Sequence, residues 1–178
     1  MNNLEQYLFF GAVLVALVGA LTDVRSARLP NRLTYTALVA ALILRATLLG
    51  LSGLKNGAIG ILIAGGLFYV LYVVGAMGGG DMKMMAAVGA WVGSTHIGTL
   101  LISIGLAGGV LAVVSIVFHK NLIQTVRNTV VLACYRFTSG LQPHPEMNVQ
   151  APDSRRVPFG VAIAMGTLFC AANKAWWR

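Results

Sequence analysis

Acidic side chains are scarce in this chain, and the five present are Glu5, Asp23, Asp81, Glu146 and Asp153. Asp81 follows three glycines and precedes Met82-Lys83, so that Gly78-Gly79-Gly80-Asp81-Met82-Lys83 lies between two long apolar segments. Glycine adopts backbone angles closed to other residues and lets another chain approach closely. A peptide backbone laid beside a reactive side chain needs that freedom. Two carboxylates can hydrolyse a peptide together: one takes the proton of an attacking water while the other protonates the carbonyl oxygen. The plainer reading makes the glycines a flexible loop and Asp81 the N-cap of a helix beginning near Met82.

Other chemistries have less support. Cys134 and Cys170 form no C-x-x-C pair, and His96, His119 and His144 are widely separated. Neither set has metal-ligand spacing, so no metal and no cofactor is expected, and no disulfide framework is implied.

The elements that must position the acids are helices in a membrane. The chain has 178 residues, 57% hydrophobic and 10% charged, with a mean hydropathy of +0.79. That composition lies far from a soluble globular domain. A spanning helix needs about 20 mostly apolar residues, within a range of about 17 to 25, and six segments qualify or nearly so: 6–22, 34–51, 57–77, 82–95, 97–118 and 157–174. The expected fold class is all-α, a single polytopic membrane domain over 1–178 with about six transmembrane helices. The fourth segment is short, and it reaches across only if its ends are buried among neighbours or the glycine stretch dips below the surface. The first segment lacks a basic lead and a clear cleavage site, so it reads as a retained helix, not a signal peptide.

The net charge of +8 suits anionic lipid better than nucleic acid, because most basic residues sit in loops between apolar segments. Arg25, Arg28 and Arg32 mark the loop 23–33, and Lys120, Arg127, Arg136, Arg155 and Arg156 mark the segment 119–156. The positive-inside rule puts both in the cytoplasm and both termini outside. Residues 121–138 pattern as an amphipathic surface helix, and Pro143, Pro145 and Pro152 predict mobility over 139–156. Trp176 and Trp177 beside Arg178 pattern as an interfacial anchor. Arg45 falls within the second apolar segment and near its outer end, from which it is expected to snorkel to the headgroups. Pro30 stops the first helix and Asn31 is placed to cap the second, while Asp153 or Ser154 before Pro158-Phe159-Gly160 marks the start of the sixth.

Parity of crossings brings the acids to one membrane face. The first helix ends at Asp23, the next two leave and return, and the fourth begins at Asp81. Their helix positions differ: the dipole disfavours negative charge at the end of a helix and favours it at the start. Sequence order alone does not make the two carboxylates touch.

Asp23 followed by Arg28-Leu29-Pro30-Asn31, then Gly78-Gly79-Gly80-Asp81-Met82-Lys83, then Pro158-Phe159-Gly160, resembles the type IV prepilin peptidases. These are Gly-x-Gly-Asp membrane aspartic proteases that remove leader peptides from pilins and pseudopilins. The resemblance spans the first to the sixth helix. It implies that Asp23 and Asp81 are the catalytic pair, that Gly78 and Gly80 are the motif glycines, and that Lys83 is the basic residue that commonly follows. It implies cleavage of a prepilin or pseudopilin on the cytoplasmic face of the inner membrane, after a glycine preceding the hydrophobic helix. The chain lacks the cysteine tetrad and inserted cytoplasmic domain of the longer bifunctional members, so the product is expected to stay unmethylated. The compact form resembles the peptidases of tight-adherence (Flp) pilus systems, and an archaeal preflagellin-type relative is also compatible. The rival readings are a small proton-coupled transporter, whose acids would carry protons, and a pilus-assembly scaffold whose glycines serve helix packing.

Overall fold

The structure, a computed structural model, describes residues 3–26, 29–74, 76–119 and 159–173. The expectations for residues 121–138, 139–156 and 176–178 lie outside these. The described residues are almost all helical, without a strand: α1 (Asn3–Ser26), α2 (Asn31–Val73), α3 (Gly79–Val92), α4 (Ser94–His119) and α5 (Phe159–Ala172).

α2 is one element only in name. Gly50 has φ 66° and ψ −156°, a conformation open to glycine and costly for other residues. A methyl carbon added at Gly53 would lie 2.6 Å from the Arg45 carbonyl oxygen, and one at Gly57 would lie 2.7 Å from Arg45 Cδ. Residues eight and twelve apart on a straight helix stand about 12 and 18 Å apart. The chain therefore folds back at Gly50 into two arms. They correspond to the expected segments 34–51 and 57–77, but one glycine makes the reversal where a loop of several residues was expected.

α3 is the centre of the bundle. It has 14 residues, and eight of them, Met84, Met85 and Ala87 to Val92, are buried. Along α1, Gly11 faces the Trp91 ring and Gly19 faces Met84, so α1 and α3 run antiparallel. The second arm of α2 also runs antiparallel to α3, with Gly57 beside Ala90, Gly60 against Gly89, Gly65 against Ala86, and Tyr72 against Gly79. Gly60 and Gly89 touch through their backbones, each leaving no room for a methyl group on the other. Small residues on a helix surface permit that approach, and in lipid such packing is a main source of helix association. At about 1.5 Å per residue α3 is about 21 Å long, short of a bilayer core of about 30 Å. The end of α3 is buried among neighbours whereas its first five residues are half-buried, so the burial expected of both ends is found at one.

Arg45 does not snorkel. It is 1% exposed, and its Nε and Nη2 donate to the carbonyls of Ala90 (2.7 Å) and Trp91 (2.8 Å). The physical reason is the burial of α3: the last carbonyls of a helix have no partner in the helix, and here protein, not water, surrounds them. A guanidinium is a rigid fork of donors with positive charge, suited to the negative end of a helix. Gly57 and Gly93 make room for it, since a methyl carbon at Gly93 would lie 2.6 Å from Nη2. Asn56 serves the next helix by the same logic, its Oδ1 accepting from the Ser94 backbone N–H at 2.7 Å.

The outer surface is apolar as well. Phe10, Leu14, Leu62 and Leu106 are each more than 60% exposed, the arrangement of helices that meet lipid. α1, α2 and α4 are long and apolar enough to cross a membrane, whereas α5 is a shorter apolar helix.

Candidate active site

Gly11 opposite Trp91 and Gly19 opposite Met84 define a register between α1 and α3. Four residues further along α1 and four back along α3, it brings Asp23 level with Gly80. Asp23 and Asp81 thus occupy the same end of one antiparallel helix pair, and both are half-buried. Leu29, in the link between α1 and α2, packs against the core, close to both Gly19 and Gly80.

α3 begins earlier than expected. Gly78 is its N-cap with extended angles (φ −78°, ψ 149°), and Gly79 is its first helical residue. Asp81 is therefore not the cap. It is the third residue of the helix, with its N–H bonded to the Gly78 carbonyl at 3.2 Å. Its carboxylate folds back over the glycines, because a methyl carbon at Gly78 would stand 3.3 Å from Asp81 Oδ2. Negative charge in a first turn is favoured by the exposed N–H groups there.

Each glycine of the triplet makes room for something different: Gly78 for the Asp81 carboxylate, Gly79 for the Tyr72 ring at 3.3 Å, and Gly80 for Leu29 at 3.2 Å. Among the described residues the positive-φ glycines are Gly50 and Gly93. The triplet thus serves close approach, the second of the two uses read from the sequence, and not an unusual backbone angle.

Lys83 reaches to the start of α2. Its Nζ donates to Asn31 Oδ1 at 2.9 Å and lies 5.6 Å from the centre of the Tyr35 ring. Asn31 does not cap α2: the cap position is Pro30, without a side-chain cap bond. The Asn31 amide instead ties α2 to α3 through Lys83.

Asp23 has a partner that sequence reasoning missed. The backbone N–H of Gly160, the second residue of α5, donates to Asp23 Oδ2 at 2.9 Å. α1 runs on to Ser26, past the expected end at Asp23; Asp23 lies in its last turn and also at the start of α5, so the dipole contrast between the two acids is weaker than their own helices suggest. The signal was present in Pro158-Phe159-Gly160, which read only as a helix start.

The fold and this site define a helical membrane protein with two carboxylates gathered at one end of a packed helix pair, under a glycine-built helix start. The chain matches the model of the type IV leader peptidase family over residues 8–113, and it belongs to that family of peptidases. The matched stretch contains Asp23 and the whole of Gly78 to Lys83 and ends before α5. No curated protein and no solved structure matches the chain.

Proposed function

We propose that this protein is a membrane aspartic endopeptidase that removes the leader peptide from prepilins or pseudopilins, cutting on the cytoplasmic side after a glycine that precedes the hydrophobic helix. The observation that carries this reading is the antiparallel register of α1 and α3, which supports pairing of Asp23 with Asp81 across one helix end. In the reaction one carboxylate takes a proton from water as its oxygen attacks the scissile carbonyl carbon. The other gives a proton to the carbonyl oxygen, and a proton returned to the leaving nitrogen completes cleavage. Gly78 leaves room for the Asp81 carboxylate and Gly80 for Leu29, while Lys83 ties α3 to the start of α2. Mixing detergent-solubilised protein with a prepilin peptide tests the function. The peptidase shortens the peptide, whereas a transporter or scaffold leaves it intact.

The protein is proposed to cross the inner membrane six times, with both arms of α2, α3 and α5 among the crossings. Reporters fused after Arg32 or Arg155 are expected to be cytoplasmic, and one fused after Lys55 external. The opposite pattern would invert the orientation and remove cytoplasmic cleavage.

Hydrolysis by two carboxylates needs no metal. Exhaustive chelation is expected to leave the rate unchanged, and loss of activity restored by zinc would contradict the mechanism. Pilin processed by this enzyme alone is expected to carry an unmethylated N-terminus, which its mass reports.

A further inference from the structure

We propose that Phe159 and Gly160 form a positioning device for Asp23, in which the Gly160 backbone N–H holds Oδ2 and leaves Oδ1 as the oxygen that exchanges protons. The inference rests on the reading of Asp23 as a catalytic residue. Gly160 is buried, and its N–H lies 2.9 Å from Asp23 Oδ2. The second N–H of a helix has no acceptor within the helix, so α5 offers a donor at no cost to its own hydrogen bonding. A methyl carbon at position 160 would stand 2.9 Å from Oδ2, 3.0 Å from Cβ and 3.3 Å from Cγ of the same aspartate. The side chain of Asp23 thus lies flat against a backbone that only glycine presents.

Phe159 supplies the stiffness. Its ring packs 5.9 Å from Phe68 of α2 at 51°, and it fills the notch left by Gly108 of α4, where a methyl carbon would come within 3.0 Å of the ring. Two helices therefore fix the first turn of α5 sideways, and that turn fixes Asp23 on a third. A carboxylate held at one oxygen loses rotational freedom before substrate arrives, and displacements of about 1 Å at a reacting group can cost about 100-fold in rate. Capping α5 alone would need no such exclusion of a side chain, because a helix start accepts many acceptors, water among them.

The test uses the full-length purified protein and a prepilin peptide, with kcat, KM and the thermal midpoint measured together. Gly160→Ala adds the methyl group that displaces Asp23. An ester in place of the Phe159–Gly160 amide, introduced by semisynthesis, removes the single N–H and adds no atom. The alanine variant is expected to lose about 100-fold in kcat and the ester a smaller part of that, with KM within about twofold and, because the ester loses one hydrogen bond to a carboxylate, a midpoint lowered by only a few degrees. Should the alanine variant fail to fold, the ester decides alone. An ester enzyme with unchanged kcat, or one altered only in KM, overturns the proposal. Asp23→Asn runs in parallel: its full activity would sink the catalytic reading of Asp23 itself, while an inactive Asn variant beside a fully active ester would sink the positioning role alone.

Discussion

Asp23→Asn and Asp81→Asn are each expected to insert and accumulate at the level of the natural protein and to lose about 100-fold or more of the cleavage rate, the usual scale for removing a general acid or base. Asparagine is nearly the same size as aspartate and keeps a carbonyl oxygen able to accept a hydrogen bond. At position 23 it can still receive the Gly160 N–H, so a purely structural cap would survive the change. At position 81 it still fits beneath Gly78. Only the capacity to take up a proton is lost. The double substitution is expected to be little worse than either single one, because groups that act as a unit are not additive. Asp153→Asn, an acid assigned to the same face and outside the motifs, serves as the control and is expected to cleave nearly normally. The assay is product formation from a prepilin peptide by purified protein.

The second large effect is on stability. Arg45→Met keeps much of the apolar stem and removes the donors, so the carbonyls of Ala90 and Trp91 lose their partners inside the bundle. Hydrogen bonds to a charged group contribute about 1.5–3 kcal/mol each, so the variant is expected to lose about 3 kcal/mol or more. For a chain of this length that lowers the thermal midpoint by about 6–12 °C. Arg45→Lys, a single compact charge on a flexible stem, should recover only part of the loss. Thermal unfolding in detergent reads the difference. A midpoint for Arg45→Met within about 2 °C of the natural protein would contradict the buried role and restore the snorkelling one.

Arg45 also shows where the sequence stopped being informative. Hydropathy and charge located the apolar segments well, because both depend on local composition. They could not tell that α3, the shortest of these segments, would be the most enclosed, nor that its last carbonyls would need a donor from 45 residues earlier. The reversal at Gly50 was hidden for a similar reason: Leu-Gly-Leu-Ser-Gly reads equally well as a flexible link or as a helix, and the packing of Gly53 and Gly57 against Arg45 decides it. At the site, Asp23, Asp81 and the glycine triplet stood out by scarcity and spacing. What the triplet accommodates did not, since Tyr72 and Leu29 come from other elements. The Gly160 donor, 137 residues from its acceptor, left no local mark beyond a helix-start pattern.

The central claim is that the two aspartates at one end of α1 and α3 cut a prepilin. Its most direct test is mass spectrometry of a prepilin peptide after incubation with the purified natural protein, and separately with Asp81→Asn. The expected result is two fragments from the natural protein alone, separated immediately after the glycine that precedes the hydrophobic helix. An intact peptide with the natural protein, or the same two fragments from the Asp81→Asn protein at a comparable rate, would contradict it.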